Sequence, residues 1–204
     1  MKAYRVEPLW KGQSCFIIGG GPSLKEMDLT PIHKYNVIGV NDSFKLGSWV
    51  DICWFSDCRW AVWNHEALTE FPGKVITCAR CNCQHPALQV RRTEQRGLST
   101  NPEEVRMNRS SGASAINLAV HLGVKKIILL GFDMQVRDGK HNWHTNHKHI
   151  PSPDIYIDRM IAPFDTIAID AKKLGIEIIN CTPDSALKVF PYQVLSEVCS
   201  GLNN

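Results

Sequence analysis

No apolar run in this chain approaches the ~20 residues that a membrane-crossing helix needs, and the leading MKAYRVEPLWKGQ lacks the apolar block of a secretory leader. A cytosolic protein without a membrane span is expected. Excess charge is also lacking: 23 Lys and Arg against 20 Asp and Glu give a formal +3. That is too little to argue for nucleic acid as a partner, and Arg91, Arg92 and Arg96 read as a solvated loop. No second cysteine pair follows "CARCNC" at zinc-ribbon spacing. Zinc at Cys78, Cys81 and Cys83 therefore stands as the alternative to ordinary thiols in a turn. The eight cysteines are expected to be mostly reduced in a cytosolic chain. Internal repeats and low-complexity linkers are absent as well, and with 44% apolar residues the chain can bury one substantial core. A single domain over residues 1–204 is expected.

The stretch "SCFIIGGGPSLKEMD" (14–28) is the first feature with chemistry in it. Cys15 to Ile18 have the unbroken apolar character of a strand buried on both faces. Gly19, Gly20 and Gly21 allow backbone conformations closed to other residues and close approach by another group. Pro22 suits a first helical turn. Strand, bare turn and helix N-terminus together predict a place for an anion. The turn is not G-x-G-x-x-G and lacks the lysine of a P-loop, so a ligand-free tight turn is the competing reading.

Further short apolar runs follow: Asn36 to Asn41, Asp51 to Ser56, Lys74 to Cys78, Lys125 to Asp133 and Ile176 to Cys181. Helix-like segments alternate with them near Pro22 to Met27, Arg59 to Leu68, Ala113 to Leu122 and Ile157 to Leu174. The alternation predicts an α/β fold: one Rossmann-like domain with a mostly parallel sheet and helices on both faces. In the third helix Asn117 and His121 fall off the apolar face. Gln84 to Met107 is polar with weak periodicity and is expected to include a long loop.

A sheet of this kind binds ligands outside the carboxyl ends of its strands. The chain places Gly19, Gly20, Gly21 and Ser23 there, then Asn41 and Asp42, Ser56 and Asp57, and Asp133. "RSSG" (109–112) adds a second Ser/Gly-rich helix start, with Ser111 and Gly112 at its head. Each polar residue could merely cap a turn or a helix. Their shared position favours a small-molecule nucleotide site. Four of the eight histidines, His141, His144, His147 and His149, lie within nine residues directly after the fifth strand. Imidazole is a general base near neutral pH or a metal ligand, while a solvated loop is the plain alternative. Trp143 among them could cover a base or anchor on the protein's own surface. Trp49, Trp54, Trp60 and Trp63 are expected to pack a core or the surface of a homo-oligomer.

Taken in order, "IIGGGPSLKEMD", "VIGVNDSF", "FSD", "RSSGASAINLAVHLGVKKIILLGFDM" and "INCTPDSALKVFP" resemble a superfamily. It contains bacterial lipooligosaccharide sialyltransferases using CMP-sialic acid, flagellin-glycosylation accessory factors, archaeal hydroxymethylpterin pyrophosphokinases and phage proteins of unassigned activity. The resemblance runs from Ser14 to Pro191. It implies a nucleotide-sugar donor, a CMP-sugar or another, and transfer of the sugar to an acceptor hydroxyl. It further implies nucleotide contacts from Gly19, Gly20, Gly21, Ser23 and Asn41, a sugar and phosphate contact from Asp57, and a phosphate site at Ser111 and Gly112. His144 or His147 would be the base, on a loop oriented by Asp133. Two positions depart from the family: Gly20 stands for its Asn, and Gln135 for its leaving-phosphate tyrosine, which leaves the donor open. The pyrophosphokinase branch implies instead magnesium on Asp42, Asp57 and Asp133. A non-catalytic nucleotide- or zinc-binding phage protein is the third reading.

Overall fold

The computed structural model describes residues 3–80, 87–144 and 156–202. Its strands are β1 (Ser14–Ile18), β2 (Asn36–Val40), β3 (Ile52–Phe55), β4 (Lys74–Thr77), β5 (Leu88–Gln89), β6 (Arg91–Thr93), β7 (Glu104–Arg106), β8 (Lys126–Leu130) and β9 (Glu177–Asn180). Seven of them form one sheet in the order β5-β4-β3-β2-β1-β8-β9. Every pairing in it is parallel, from Cys15 against Asn36 and Ile127 to Leu129 against Asn180. The expected α/β class and its parallel sheet are thus present.

Parallel strands must be covered on both faces because their connections run over them. Ile17, Val40, Trp54, Ile76 and Leu129 point to one side. There they pack against α3 (Ser111–His121) and, after two short helices α1 (Cys58–Trp63) and α2 (His65–Glu70), against α4 (Pro163–Lys173). Phe16, Ile18, Val37 and Leu130 alternate to the other side, onto Leu24, Ile32 and the last helix α5 (Leu195–Gly201). Cys53, Phe55 and Val75 continue that side under α1 and α2, where Trp60 and Leu68 cover them. Each such aliphatic or aromatic side chain contributes about 1.5–3 kcal/mol by leaving water.

Several boundaries shift for local reasons. The helix expected over Arg59 to Leu68 is broken at Asn64 (φ −110°, ψ 15°), whose amide donates to the Trp60 carbonyl at 2.8 Å. The segment from Pro22 to Glu26 is a 3-10 turn rather than an α-helix. The polar tract from Gln84 to Met107 also carries short strands on either side of its loop: β5 extends the main sheet, and β6 pairs with β7 in a separate parallel ladder. That ladder explains why Asn117 and His121 are buried. Asn117 Oδ1 accepts from the Ser99 and Arg106 amides at 2.9 and 3.0 Å, and His121 Nε2 meets the Glu104 carbonyl at 2.7 Å. Arg91 and Arg92 are not a solvated loop either, but strand residues paired with Glu104 and Glu94 at 2.6 and 2.7 Å. Trp54 and Trp60 are core residues, whereas Trp63 is exposed on α1. Among the described residues no helix is long and apolar enough to cross a membrane.

The chain moves outward from β1 to β5 and returns to β8 on the other flank of β1. This reversal opens a crevice at the carboxyl ends of β1 and β8, the place where such sheets take ligands.

Candidate functional site

Gly19–Gly21 and Gly131–Asp133 form the two walls of that crevice. None of the three glycines after β1 has a positive φ, so conformational freedom is not why they are glycines. A Cβ on Gly19 would stand 2.6 Å from the Gly131 carbonyl oxygen, one on Gly20 would meet the Asn142 side-chain amide at 2.9 Å, and one on Gly21 would overlap the Asp133 carboxylate. The close approach anticipated for this turn is made in large part by the chain itself.

Asp133 is the anion at the head of the Pro22 turn. Its Oδ1 accepts from the Ser23 amide at 3.2 Å and its Oδ2 from the Ser23 hydroxyl at 2.7 Å, while Arg137 Nε lies 3.3 Å away. Burial pushes the carboxyl above its ordinary range against the pull of the Ser23 hydrogen bonds and Arg137. Ser23 is therefore bound to Asp133 instead of facing the crevice. Asp133 braces the glycine turn and makes no described contact with a histidine. The "INCTPDS" segment locks this wall from outside: Thr182 Oγ1 accepts from the Phe132 amide at 2.9 Å, and Ser185 Oγ donates to the Phe132 carbonyl at 2.5 Å.

The second polar wall is the start of α3. Trp54 Nε1 donates to the Ser111 carbonyl at 3.0 Å, and Ser56 Oγ and Ser111 Oγ are 2.5 Å apart, which ties the helix to the end of β3. Ser110 Oγ caps it by accepting from the Ala113 amide at 3.0 Å. The Ser111 and Gly112 amides precede the first intrahelical bond and have no protein partner among the described residues, so the positive end of the helix faces the cleft. Asn41 closes the gap from β2. It is held at φ 50°, and its buried Oδ1 has no hydrogen-bond partner among the described residues. Such an acceptor costs free energy until a donor meets it.

Two lobes result. The crevice lobe, about 340 Å³, is lined by Gly19–Gly21, Asn41, Ser111, Gly112, Asp133, His141 and Asn142 among others. The outer lobe, about 500 Å³, is lined by Ser56, Asp57, Trp60, Arg80, Arg92 and Met107. Asn41, Arg109, Ser110 and Ser111 belong to both. Asp57 lines the outer lobe, where its side chain also caps α1 by accepting from the Arg59 amide at 2.8 Å.

The histidine segment docks on the crevice. The Trp143 amide donates to the Gly20 carbonyl at 2.9 Å and its indole Nε1 to Ser43 Oγ at 3.3 Å, so Trp143 is an anchor on the protein's own surface. With its amide turned to pair both atoms, Asn142 donates to the Gly20 carbonyl at 3.2 Å and accepts from His141 Nε2 at 3.0 Å. His144 turns away from the crevice, its Nε2 lying 3.6 Å from Asp42 Oδ2. Asp42 is buried, a change that raises a carboxyl, but hydrogen bonds from Lys45 and Trp60 and the nearby His144 hold it below its usual value. His147, like Cys81 and Cys83, lies outside the described residues. Cys78 is buried, with its thiol pushed up to about 12 by desolvation. Cys58 is disulfide-bonded, unlike the free Cys15, Cys53, Cys78, Cys181 and Cys199. Among the described residues no group of three or more His, Cys, Asp or Glu side chains could hold a metal ion, and Asp42, Asp57 and Asp133 do not converge.

No protein-family model matches the chain, and no curated protein matches it in sequence. Among solved structures it is similar to the sialyltransferase CstII from Campylobacter jejuni, in complex with a substrate analogue, cytidine-5'-monophosphate. The TM-score is 0.56 at 16% identity, over 89% of this chain and 85% of that one. The chain has a sialyltransferase-like α/β fold. At this identity the likeness speaks for the fold alone.

Arg109 and His141 were not singled out from the sequence as site residues, and Arg80 and Arg92 carried no functional assignment. Arg109 could have been found beside Ser-Ser-Gly, and His141 as the first of its cluster. Arg80 and Arg92 had no sequence signal, because only the β4–β6 fold-back carries them to the cleft.

Proposed function

We propose that this chain is a nucleotide-sugar-dependent transferase of the superfamily it resembles, moving a sugar from a nucleotide to an acceptor hydroxyl. The observation that carries the reading is the juxtaposition, at the switch point between β1 and β8, of a helix start whose Ser111 and Gly112 amides lack a partner among the described residues, an Asn41 oxygen that likewise lacks one there, and a docked histidine segment. The nucleotide occupies the crevice lobe. Its phosphate accepts from the Ser111 and Gly112 amides, and a sugar hydroxyl or a base amine donates to Asn41 Oδ1. Gly19, Gly20 and Gly21 form the floor, Ser23 and Asp133 keep that floor in place, and Asp57 meets the sugar in the outer lobe.

The base comes from the histidine segment. Of its described members, His141 lines the crevice. Its Nε2 donates to the turned Asn142 amide oxygen at 3.0 Å, which holds the imidazole at the crevice wall. The acceptor hydroxyl loses its proton to imidazole as its oxygen bonds to the anomeric carbon. The bond from that carbon to the phosphate oxygen breaks, and the phosphate keeps the electron pair. His144 holds the segment to Asp42, and His147 remains the second candidate for the base.

A thermal-shift screen with CMP, UDP, GDP and ATP, followed by turnover with the matching sugar nucleotides, tests the reading. One nucleotide family should raise the melting temperature in a dose-dependent way. The absence of any nucleotide-dependent shift would remove the transferase assignment.

A further inference from the structure

We propose that the outer lobe is a phosphomonoester site, which holds a phosphoryl group carried by the second substrate and is separate from the nucleotide phosphate at the α3 start. Three arginines, Arg80, Arg92 and Arg109, line this lobe, and the acidic residue lining it is Asp57. With Asp57 paired to Arg59 and Arg92 to Glu94, Arg80 and Arg109 leave an excess of two positive charges. Asp57 is itself engaged, by the Arg59 amide at 2.8 Å and the Arg59 guanidinium at 3.6 Å. Among the described residues Arg80 donates to the Arg92 carbonyl at 3.3 Å, and neither Arg80 nor Arg109 has a carboxylate within ion-pair distance, although Glu94 feels the charge of Arg80 as well as that of Arg92. Arg92 pairs with Glu94, whose side chain is 61% exposed, so solvent weakens that neutralisation. Cations gathered in one cavity repel each other until an anion joins them. Arginine forks match phosphoryl oxygens in pairs, and of the Ser56 and Ser111 hydroxyls beside them, which share one hydrogen bond, one proton is left as a further donor.

The arrangement is built rather than incidental. Arg109 sits at φ 62° directly after Asn108 at φ 50°, two non-glycine residues in the left-handed region. The Asn108 side chain fixes this turn by accepting from the Gly97 amide at 2.8 Å and donating to the Gly97 and Arg106 carbonyls at 2.8 and 3.0 Å. The turn thereby presents Arg109 to both lobes. A phosphomonoester carries about −1.5 to −2 at neutral pH, which matches the excess of two; a carboxylate supplies half of it. The second substrate is accordingly a phosphorylated sugar or a similar small phosphomonoester.

This assignment rests on the transferase reading for the order of groups along the cleft, and the experiment separates the two. Isothermal titration of the whole protein with glucose 6-phosphate as probe, with and without saturating CMP, should give binding in both conditions. R80Q and R92Q should each weaken the probe by about tenfold and leave CMP within about twofold. Arg80 is exposed, so R80Q should keep its melting temperature and report on the site alone. Undetectable probe binding, unchanged binding in both variants, displacement of the probe by CMP, equal affinity for glucuronate, or tighter binding of a short oligonucleotide would each overturn the phosphomonoester site. Probe binding that follows the arginines while no nucleotide binds would uphold this site and remove the transferase.

Discussion

The Ser23 hydroxyl donates to Asp133 Oδ2 at 2.7 Å across 110 residues of chain. It joins the two loops that leave β1 and β8 at the point where the sheet changes direction. The glycine turn is shaped by this bond: Gly21 has no Cβ because the Asp133 carboxylate occupies that space.

D133A would leave the Ser23 amide and hydroxyl buried without an acceptor and Arg137 without one of its partners. A loss of about 2–4 kcal/mol of unfolding free energy is expected by urea titration. D133N keeps one acceptor and should lose less than half of that. Equal stability of wild type and D133A would show that the brace contributes nothing.

G21A should cost about 1–3 kcal/mol through overpacking. In a D133A background the same substitution should cost markedly less, because the group it collides with is gone. A double-mutant cycle measures this coupling; strict additivity would contradict the geometry.

Asn41 separates stability from binding. Its φ of 50° suits glycine, and its Oδ1 is buried and unpaired among the described residues. N41G should therefore leave the melting temperature unchanged or raised, while nucleotide affinity falls by about tenfold. A destabilised N41G with intact nucleotide binding would place Asn41 in the scaffold instead.

The histidines divide by position. H141A should lower turnover by about 10²- to 10⁴-fold, with nucleotide affinity retained in calorimetry. H144A should act chiefly on the anchorage of the segment, and H147A tests the alternative base. Full turnover in H141A would transfer the base to His147.

Acid should act through Asp42. Its carboxyl is held below the ordinary 3.8 when folded, so the native state binds this proton less readily than the unfolded chain does. The contribution is fully present above the unfolded value and disappears as pH falls through the folded one. The stability gap between wild type and D42N should accordingly narrow between roughly pH 5 and pH 3 in urea unfolding. A gap that is constant with pH would mean that the Lys45 and Trp60 bonds do not favour the ionised form.

The main strands, the parallel sheet and the glycine turn were legible in the sequence because they depend on near neighbours: unbroken apolar runs bounded by Gly and Asp recur at βα spacing. Likewise, the ends of those runs place Asn41 and Asp57 on one edge, because a parallel sheet sends its strand ends there, and the Ser/Gly-rich helix start adds Ser111 and Gly112. Partners distant in sequence were out of reach. No local pattern says that the anion at the Pro22 turn is Asp133, that Asn117 and His121 are buried under a β6–β7 ladder, or that Arg80 and Arg92 line one cavity with Arg109. Those pairings arise when segments tens of residues apart are pressed together, and burial then decides which polar group must be satisfied by which. Composition and periodicity determined what the elements are and which edge they share; only the tertiary structure decided which charges on that edge the protein neutralises itself and which remain for a ligand.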